Sequence, residues 1–405
     1  MESNPRIEQR NIMSTVLAKA DALQAKTKKK PLRNGKVMKA KGLKKPSARK
    51  SKVNYRTATQ LRSDRFLAEI KNATRVTFVS HINPDPDSIG SMVGLAHLVK
   101  SVLGKKIRLT RDGLINRSEN RAMVEILGLE LVPMDGIEWH EGDVAVMVDS
   151  QPKTGRHSNE NGIPLVAVID HHDTPGNVRG IPFVDVRKSM GATCSVVAEY
   201  LREQNVEVSF KVATAMMYGM ETELMGFPRH ASSADEEALL WLFPKADKDL
   251  LAEIRNARLP QSHFEGVVQA LQSSFIYDRL IISWVHDLPQ PELAAEVVDF
   301  LIRFEEVDWA VCAGLFENKL ILSARASGAN AKAGELLKKV VGRMGRAGGH
   351  DRRAGGAILM KSISFNAVEQ AMVKLRKRLL KALHIDECRG QRLISRKEML
   401  ENLQS

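Results

Sequence analysis

Short apolar runs alternate along the chain with longer segments in which apolar residues recur at helical spacing. Four runs rich in Val, Ile or Leu predict buried strands, at 75–81, 106–110, 143–150 and 164–172. Segments with helical periodicity lie between or after them, at 88–104, 117–129, 192–204 and 211–224, the last with a predicted break at Gly219. Apolar strands that alternate with helices predict an α/β fold with a parallel sheet flanked by helices.

The same pattern predicts a second, smaller α/β domain. A mostly helical stretch, 234–275, leads into a segment that contains Pro289 and Pro291, which predicts a linker at 276–291. Further elements follow, at 292–304, 309–316, 319–325, 331–343, 357–360 and 365–383, with a glycine-rich loop at 345–356. We therefore predict an N-terminal extension, a first domain, the linker, a second domain and a tail, at 1–62, 63–275, 276–291, 292–385 and 386–405.

Charge is distributed unevenly along the 405 residues, whose net charge is +13. Residues 1–62 contain 18 Lys or Arg and three acidic residues, so they carry a net +15 and the remainder carries −2. The Lys-rich part, 26–52, has too few apolar residues to offset the entropy lost on ordering, so we expect disorder there. Such an arm binds nucleic-acid phosphates or is a solvated tail, and both interpretations stay open.

The remaining compositional signals favour a cytoplasmic protein. The three cysteines, Cys194, Cys312 and Cys388, lack C-x-x-C spacing, which argues for a reducing compartment. No apolar run approaches the roughly 18 residues of a membrane span, and the N-terminus has no signal-peptide core. We expect no membrane contact, and a homodimer remains an open alternative.

Metal-ligand side chains follow three of the predicted strands. His81, Asp85 and Asp87 come after the first strand, Asp149 ends the third, and a cluster ends the fourth: Asp170, His171 and His172. The carboxyl ends of parallel strands form one edge of a sheet, and ligands bind there. A lone Asp at a strand end is usually a turn or cap residue, but capping does not explain such residues at three strand ends.

The donor types predict two divalent metal ions. Carboxylates with a few imidazoles suit hard or borderline ions, so we expect Mn²⁺, with Mg²⁺ or Co²⁺ as alternatives. One ion does not need this many carboxylates, whereas two ions about 3.5–4 Å apart do. Such pairs hydrolyse phosphoesters by attack of a bridging hydroxide, and a neighbouring His protonates the leaving oxygen.

Four quoted segments carry a resemblance to a known family: "HINPDPDSIGS" (81–91), "VMVDS" (146–150), "VIDHH" (168–172) and "GATCSVVAEYL" (191–201). They resemble the successive motifs of the DHH phosphoesterase superfamily, named for its Asp-His-His triplet. The second domain is similar to the associated DHHA1 domain, whose motif of the type G-G-G-H-x-x-A-A-G corresponds to "AGGHDRRAGG" at 347–356. The resemblance covers roughly residues 70–380 and implies an active site in the cleft between the two domains.

The resemblance also implies roles for individual residues. His81 and Asp85 would bind one metal ion, Asp87 and His171 the other, and Asp149 would bridge them. His172 would face the scissile phosphate, and Asp170 would support the histidines. In the second domain the resemblance implies four residues that bind the substrate: Arg325, Gly348, Gly349 and His350.

One position departs from the family pattern. The last metal ligand is commonly the Asp of a G-I-x-T-D-T motif, and this sequence has "GMETEL" at 219–224, with Glu223 in the Asp position. We expect Glu223 to coordinate, with a weakened second metal or a changed metal preference as alternatives. Glu221 competes for the role, but on a helix it would point elsewhere.

The resemblance implies metal-dependent hydrolysis of short oligoribonucleotides as the expected function. Among subfamilies the chain looks most like the oligoribonuclease (nanoRNase) and adenosine 3′,5′-bisphosphate phosphatase group, so that bisphosphate is a further expected substrate. A cyclic or linear dinucleotide is an alternative substrate for the same chemistry. A nucleotide sensor without catalysis, with the basic arm binding RNA, is the alternative outside enzymology.

Overall fold

A computed structural model of the chain describes residues 60–157, 162–224, 231–328, 330–349, 351–386 and 389–394. The chain divides into two units, 1–54 and 55–405, and the described residues all lie in the second unit. The disorder predicted at 26–52 therefore concerns residues outside the described part of the chain.

The first sheet has six parallel strands in the order β3-β2-β1-β4-β5-β6, which confirms the predicted fold class. Its strands are β1 (Arg75–Val79), β2 (Lys106–Arg111), β3 (Leu131–Pro133), β4 (Asp143–Val148), β5 (Leu165–Asp170) and β6 (Phe183–Val186). Alternate residues of a strand face opposite sides, so Val146 and Val148 enter the main core while Met147 joins a smaller cluster on the other face.

Helices cover the face that carries the main core. They are α1 (Gln60–Ile70), α2 (Pro86–Leu103), α3 (Ser118–Leu127), α4 (Thr193–Glu203), α5 (Phe210–Leu224), α6 (Ser233–Leu242) and α7 (Lys248–Arg255). The predicted break at Gly219 is wrong, because α5 runs through it without interruption. A Cβ at this glycine would lie 2.6 Å from the carbonyl oxygen of Pro86, so the glycine lets α5 pack closely against α2.

The second sheet has seven strands in the order β11-β12-β10-β9-β8-β7-β13, and only β8 and β9 pair in parallel. These strands are β7 (Phe275–Tyr277), β8 (Leu280–Asp287), β9 (Trp309–Phe316), β10 (Lys319–Ala326), β11 (Arg346–Gly349), β12 (Arg353–Leu359) and β13 (Gln391–Arg392). Two helices pack on each face: α8 (Gln261–Gln272) and α9 (Leu293–Leu301) on one, and α10 (Ala333–Val341) and α11 (Phe365–Ala382) on the other.

Two boundary predictions need correction. The predicted linker at 276–291 contains most of a β-hairpin, β7 and β8, whose turn places Asp278 at φ +49°. The two prolines follow this hairpin, so they mark its end and not a domain linker. The predicted glycine-rich loop at 345–356 instead contains β11 and the start of β12, because its glycines allow close strand packing. A Cβ at Gly345 would lie 2.1 Å from the carbonyl oxygen of Ala357.

Within the described residues, none of the helices combines the length and the apolar composition needed to cross a bilayer.

Candidate metal centre

Three neighbouring strands deliver the predicted ligands to one edge of the first sheet. β1, β4 and β5 are adjacent and parallel, and their carboxyl ends lead into His81, Asp149 and His171. The strand order reverses between β1 and β4, and open α/β sheets bind ligands at such a point. The sheet topology thus brings the predicted strand-end residues together.

The first group of donors consists of His81, Asp85 and Asp149. The Nε2 atom of His81 lies 3.4 Å from Oδ2 of Asp85 and 3.7 Å from Oδ2 of Asp149. Asp85 is also the N-cap of α2 and accepts a hydrogen bond from the backbone N–H of Ser88 at 3.0 Å. All three donor atoms lie within 4.8 Å of one another, which is a spacing that one metal ion can span.

The second group surrounds His171. Its Nε2 atom lies 3.6 Å from Oδ1 of Asp149, 3.9 Å from Oδ2 of Asp87 and 3.9 Å from Oε1 of Glu223. Asp149 therefore presents Oδ2 to the first group and Oδ1 to the second. A carboxylate placed in this way matches a ligand that bridges two ions.

The imidazoles of His81 and His171 both make their hydrogen bond through Nδ1, so their Nε2 atoms are left facing the carboxylates. Nδ1 of His81 lies 2.9 Å from the carbonyl oxygen of Ile82, and Nδ1 of His171 lies 3.2 Å from that of Met190. A carbonyl only accepts, so each Nδ1 carries a hydrogen, and Nε2 of a neutral imidazole then presents a lone pair. Both Nε2 atoms are buried and have no hydrogen-bond partner among the described residues. Lone pairs that face carboxylate oxygens need a cation between them.

The donors fit divalent metal ions. Two donors that each lie about 2.1 Å from a shared ion are roughly 3–3.5 Å apart, so contacts of 3.4–3.9 Å need only small adjustments. A proton on Nε2 is the alternative to a metal ion between the imidazole and the carboxylates. Burial lowers the pKa of His81, but Asp149 and Asp85 outweigh it and raise this pKa to about 10. The nitrogen and oxygen donors suit Mn²⁺ and related ions.

Mutual repulsion among the carboxylates also favours a bound cation. Burial raises the pKa of Asp87 well above its usual range, and Asp149 and Glu223 raise it further. Burial likewise raises the pKa of Glu223, with contributions from Asp85 and Asp149. The pKa of Asp149 is instead lowered, because the surrounding histidines, His81 first, outweigh its burial. Such a cluster is stable as anions only with compensating positive charge.

Hydrogen bonds from the fold hold the most buried carboxylates in place. The first amides of α4 donate to Asp87, from Thr193 N at 2.7 Å and from Cys194 N at 2.9 Å. The hydroxyls of Ser88 and Thr193 donate to the two oxygens of Asp149 at 2.7 and 2.8 Å. Asp149 itself has φ +58°, a left-handed conformation that is uncommon for residues other than glycine, although aspartate adopts it more often than most. Strained backbone of this kind is concentrated at functional sites.

His172 differs from His81 and His171 because its Nδ1 atom contacts a carboxylate and not a backbone carbonyl. Its Nδ1 atom lies 2.8 Å from Oδ1 of Asp170, which is fully buried. Burial lowers the pKa of His172, but Asp170 and then Asp149 raise it above the ordinary value. Asp170 thus supports His172, whereas the carbonyl of Met190 orients His171. Of the two histidines that Asp170 was predicted to support, its carboxylate contacts His172.

The structure distinguishes the two glutamates of α5. Glu223 faces His171, whereas Glu221 accepts a hydrogen bond from Nε of Arg255 at 3.0 Å. Glu223 lies one helical turn after Gly219, on the face of α5 that approaches α2. The close approach at the glycine therefore directs Glu223 toward the other ligands.

The predicted substrate residues of the second domain lie in β10 and β11. Arg325 is paired with Asp299 through two contacts, Nε to Oδ1 at 2.6 Å and Nη2 to Oδ2 at 3.1 Å. Gly348 and Gly349 belong to β11, and Gly349 has φ +144°, which only glycine adopts readily. A Cβ there would lie 2.1 Å from the carbonyl oxygen of Arg353. His350 lies outside the described residues.

Sequence reasoning missed several residues that shape the site. Gln151 donates to Oδ2 of Asp170 at 2.7 Å and accepts from the backbone N–H of Gly176 at 2.9 Å, so it fixes the carboxylate that orients His172. Its position two residues after Asp149 was the available signal. Thr193 was read only as part of a motif.

Part of this chain is similar to a known family and to several known proteins. Residues 75–220 match the profile of the DHH family, N-terminal domain. Among curated relatives, "Uncharacterized protein MJ1633" of Methanocaldococcus jannaschii is 27% identical over 315 residues, which cover 76% of this chain and 64% of that protein. "Cyclic-di-AMP phosphodiesterase GdpP" of Bacillus subtilis is 23% identical over 355 residues, covering 82% and 52%.

A shorter match and a solved structure complete the comparison. "Probable manganese-dependent inorganic pyrophosphatase" of Listeria innocua is 26% identical over 154 residues, covering 38% of this chain and 49% of that protein. The chain thus spans between 49% and 64% of the length of these three relatives. The crystal structure of an exopolyphosphatase-related protein from Bacteroides fragilis has a TM-score of 0.64 at 18% identity, covering 80% of this chain and 98% of that one.

The strand-end residues and the parallel sheet that carries them lie largely within residues 75–220, the part of this chain that is similar to the DHH family, N-terminal domain.

Proposed function

We propose that this chain is a metal-dependent phosphoesterase that hydrolyses the phosphodiester bonds of short oligoribonucleotides. One observation carries the proposal: the two oxygens of Asp149 face two separate groups of donors, each with an imidazole lone pair and further carboxylates. Two ions held in this way, when bound, activate water and neutralise negative charge on the phosphate.

The ligand sets follow from the distances. His81, Asp85 and Asp149 would hold one ion, and Asp149, His171, Asp87 and Glu223 would hold the other. The hydrogen bonds to Asp87 and Asp149 keep these carboxylates in fixed positions before an ion arrives, which lowers the cost of assembling the site.

His172 is the proton donor in this proposal. Asp170 holds Nδ1–H, so the opposite nitrogen, Nε2, carries the proton that is transferred to the leaving oxygen. The raised pKa of His172 keeps the imidazole protonated over a wider pH range than that of a free histidine. Gln151 keeps Asp170 oriented while the proton moves.

The names of the relatives support this class of reaction. One is named as a cyclic-di-AMP phosphodiesterase and another as a probable manganese-dependent inorganic pyrophosphatase, so both names describe hydrolysis at phosphorus. We propose Mn²⁺ as the metal on the donor set and on the second of these names. We also propose that the second domain binds the substrate and that the basic residues of 1–62 contact RNA.

A cyclic or linear dinucleotide is the second candidate substrate. The match to the cyclic-di-AMP phosphodiesterase extends over 355 residues and includes both domains of this chain, which specifically favours this alternative. The two candidates share one reaction and differ in the length of the substrate and, for the cyclic compound, in its lack of a free end.

Single-turnover cleavage distinguishes these possibilities. We would incubate the protein and Mn²⁺ with 5′-labelled RNA of two, five or twenty-four nucleotides and with cyclic diadenosine monophosphate. Fast cleavage of the two shorter RNAs alone supports the oligoribonuclease, and preference for the cyclic compound supports the second candidate. An Asp149→Ala variant should be inactive on every substrate. Failure of the unaltered protein to cleave any of them would contradict both candidates and favour the nucleotide sensor.

A further inference from the structure

Two arginines stand directly opposite each other in the second sheet. β10 and β12 are antiparallel, and their register pairs Arg325 with Arg353. Residues directly opposite in an antiparallel pair project from the same face, and like charges in such positions destabilise the sheet. An anionic ligand bound beside the two arginines would offset this repulsion.

Among the described residues, only one of the two guanidinium groups has a carboxylate partner. Arg325 is bound to Asp299 through two contacts, so its charge is compensated. Arg353 is only partly buried, and in the described part of the chain its side chain makes neither an ion pair nor a hydrogen bond. Its five N–H donors are therefore available in a planar arrangement that matches a phosphate.

The position of Arg353 connects it with the metal centre. The charged groups that act on its guanidinium are Arg325, Asp299, Glu223 and Arg117, and burial together with Arg325 lowers its pKa. Glu223 is a candidate ligand at the exposed side of the centre, since 37% of its side chain is exposed, similar to 39% for Asp85 and unlike 1% for Asp149. Because Glu223 is among these charged groups, Arg353 is within electrostatic range of the exposed side of the candidate metal centre.

The local charge balance leaves a positive group unmatched. Asp85, Asp87, Asp149 and Glu223 supply four negative charges, which two divalent ions would neutralise. Asp299 neutralises Arg325, whereas Arg353 has no carboxylate partner in an ion pair among the described residues. An anionic group of the substrate is the natural partner for it.

The sequence supports a role specific to this chain. Residue 353 is the seventh position of G-G-G-H-x-x-A-A-G, so Arg353 stands where that motif has Ala. An alanine cannot bind a phosphate. The replacement therefore adds a phosphate-binding group without removing any of the predicted metal ligands.

We propose that Arg353 binds a second phosphate group of a nucleotide substrate, next to the phosphate that is cleaved. This inference rests on the proposed function for the location of the scissile phosphate. The second phosphate is a terminal monoester in a 5′-phosphorylated dinucleotide and a diester in a cyclic dinucleotide, and the same guanidinium suits both.

Three substrates test the proposal: pApA has a second phosphate as a monoester, cyclic diadenosine monophosphate has it as a diester, and ApA has none. For the unaltered protein we expect kcat/KM to be about 10- to 100-fold higher for pApA than for ApA, as one charge-assisted phosphate contact allows. Arg353→Ala should remove this preference, mainly through KM, and leave ApA cleavage within about threefold. The cyclic compound then reveals whether a diester is bound as well.

Matched variants separate recognition from general charge. Arg352→Ala removes the same charge one residue earlier and should retain the preference for pApA. Arg353→Lys keeps the charge but lacks the planar donors, so an intermediate preference is expected. The Tm of Arg353→Ala should not fall, because the substitution relieves repulsion with Arg325, whereas a purely structural residue would lower it.

Binding measurements keep this test independent of turnover. Calorimetric titration of pApA and ApA into the protein with Ca²⁺ in place of Mn²⁺ should give the same preference and the same loss in Arg353→Ala. Equal affinity of the unaltered protein for pApA and ApA would overturn the proposal, even if both are cleaved. A retained preference in Arg353→Ala, or its loss in Arg352→Ala, would overturn it as well. Binding preference without any cleavage would contradict the proposed function alone.

Discussion

Replacing Gly219 by alanine should damage the metal centre from a distance. The new Cβ would lie 2.6 Å from the carbonyl oxygen of Pro86, 2.9 Å from Sγ of Cys194 and 3.1 Å from Cα of Asp87. Ordinary contacts begin near 3.4 Å, so α2 and α5 must separate by about 0.8 Å. The displaced part of α2 carries Asp85 and Asp87, while α5 carries Glu223.

The size of the effect follows from two opposing contributions. Overpacking a core costs about 1–3 kcal/mol, and alanine improves helix propensity by about 1 kcal/mol over glycine. Because two of the three close contacts are to backbone, we expect a net loss of about 1–2 kcal/mol in the free energy of unfolding. Activity should suffer more, since a misplacement near 1 Å costs about 100-fold.

Urea unfolding and manganese titration measure the two effects separately. Gly136→Ala is the control, because a Cβ there meets nothing within 4 Å. Gly219→Ala should unfold at lower urea, bind the second Mn²⁺ more weakly and lose most of its turnover, while the control stays unchanged. If Gly219→Ala matched the control in both stability and manganese affinity, the packing that we assign to α2 and α5 would be refuted.

Two further substitutions test the roles of individual acids. Glu223→Gln preserves the shape of the side chain but removes a negative charge, so one of two Mn²⁺ ions should bind at least about 10-fold more weakly in calorimetry. Glu221→Gln is the control, because it affects only an ion pair with an arginine and should leave both Mn²⁺ affinities unchanged. Equal effects of the two substitutions would contradict the assignment of Glu223 as a ligand. Asp185 is buried and accepts hydrogen bonds from Tyr200 at 2.6 Å and from Nε of Arg187 at 2.9 Å. Burial raises its pKa, but Arg187 and Tyr200 outweigh burial and lower it, so its contribution to stability is present above about pH 5 and is lost as the pH falls through the lowered pKa. Asp185→Asn should therefore lower stability by about 3–5 kcal/mol at pH 7 and weaken the pH dependence below pH 4 in urea titrations, and an unchanged pH profile would contradict this linkage.

Much of the metal centre could be predicted from the chain alone. The strands that end in His81, Asp149 and Asp170 are short apolar runs, and such runs form parallel strands when helices separate them. Parallel strands have their carboxyl ends on the same side, so polar residues after them must meet. For this reason the local sequence was sufficient to predict that these strand-end residues lie together as candidate ligands.

Positions set by packing required the tertiary structure. The choice between Glu221 and Glu223 depends on which face of α5 meets α2, and that contact is made possible by Gly219. The hairpin of β7 and β8 was missed because two prolines after it resemble a linker. Periodicity reports which residues are buried, but it does not report against which element they pack.

In the second domain as well, the sequence places the charged residues along the chain, but the tertiary structure decides which of them are paired. The sequence by itself determined that arginines and a glycine-rich motif lie close together along the chain. Only the strand register placed Arg353 opposite Arg325, and only the docking of α9 brought Asp299 to Arg325 and left Arg353 without a carboxylate partner among the described residues. Charge interactions depend on distances between residues remote in sequence, so folding decides which arginine is compensated and which remains available to a ligand.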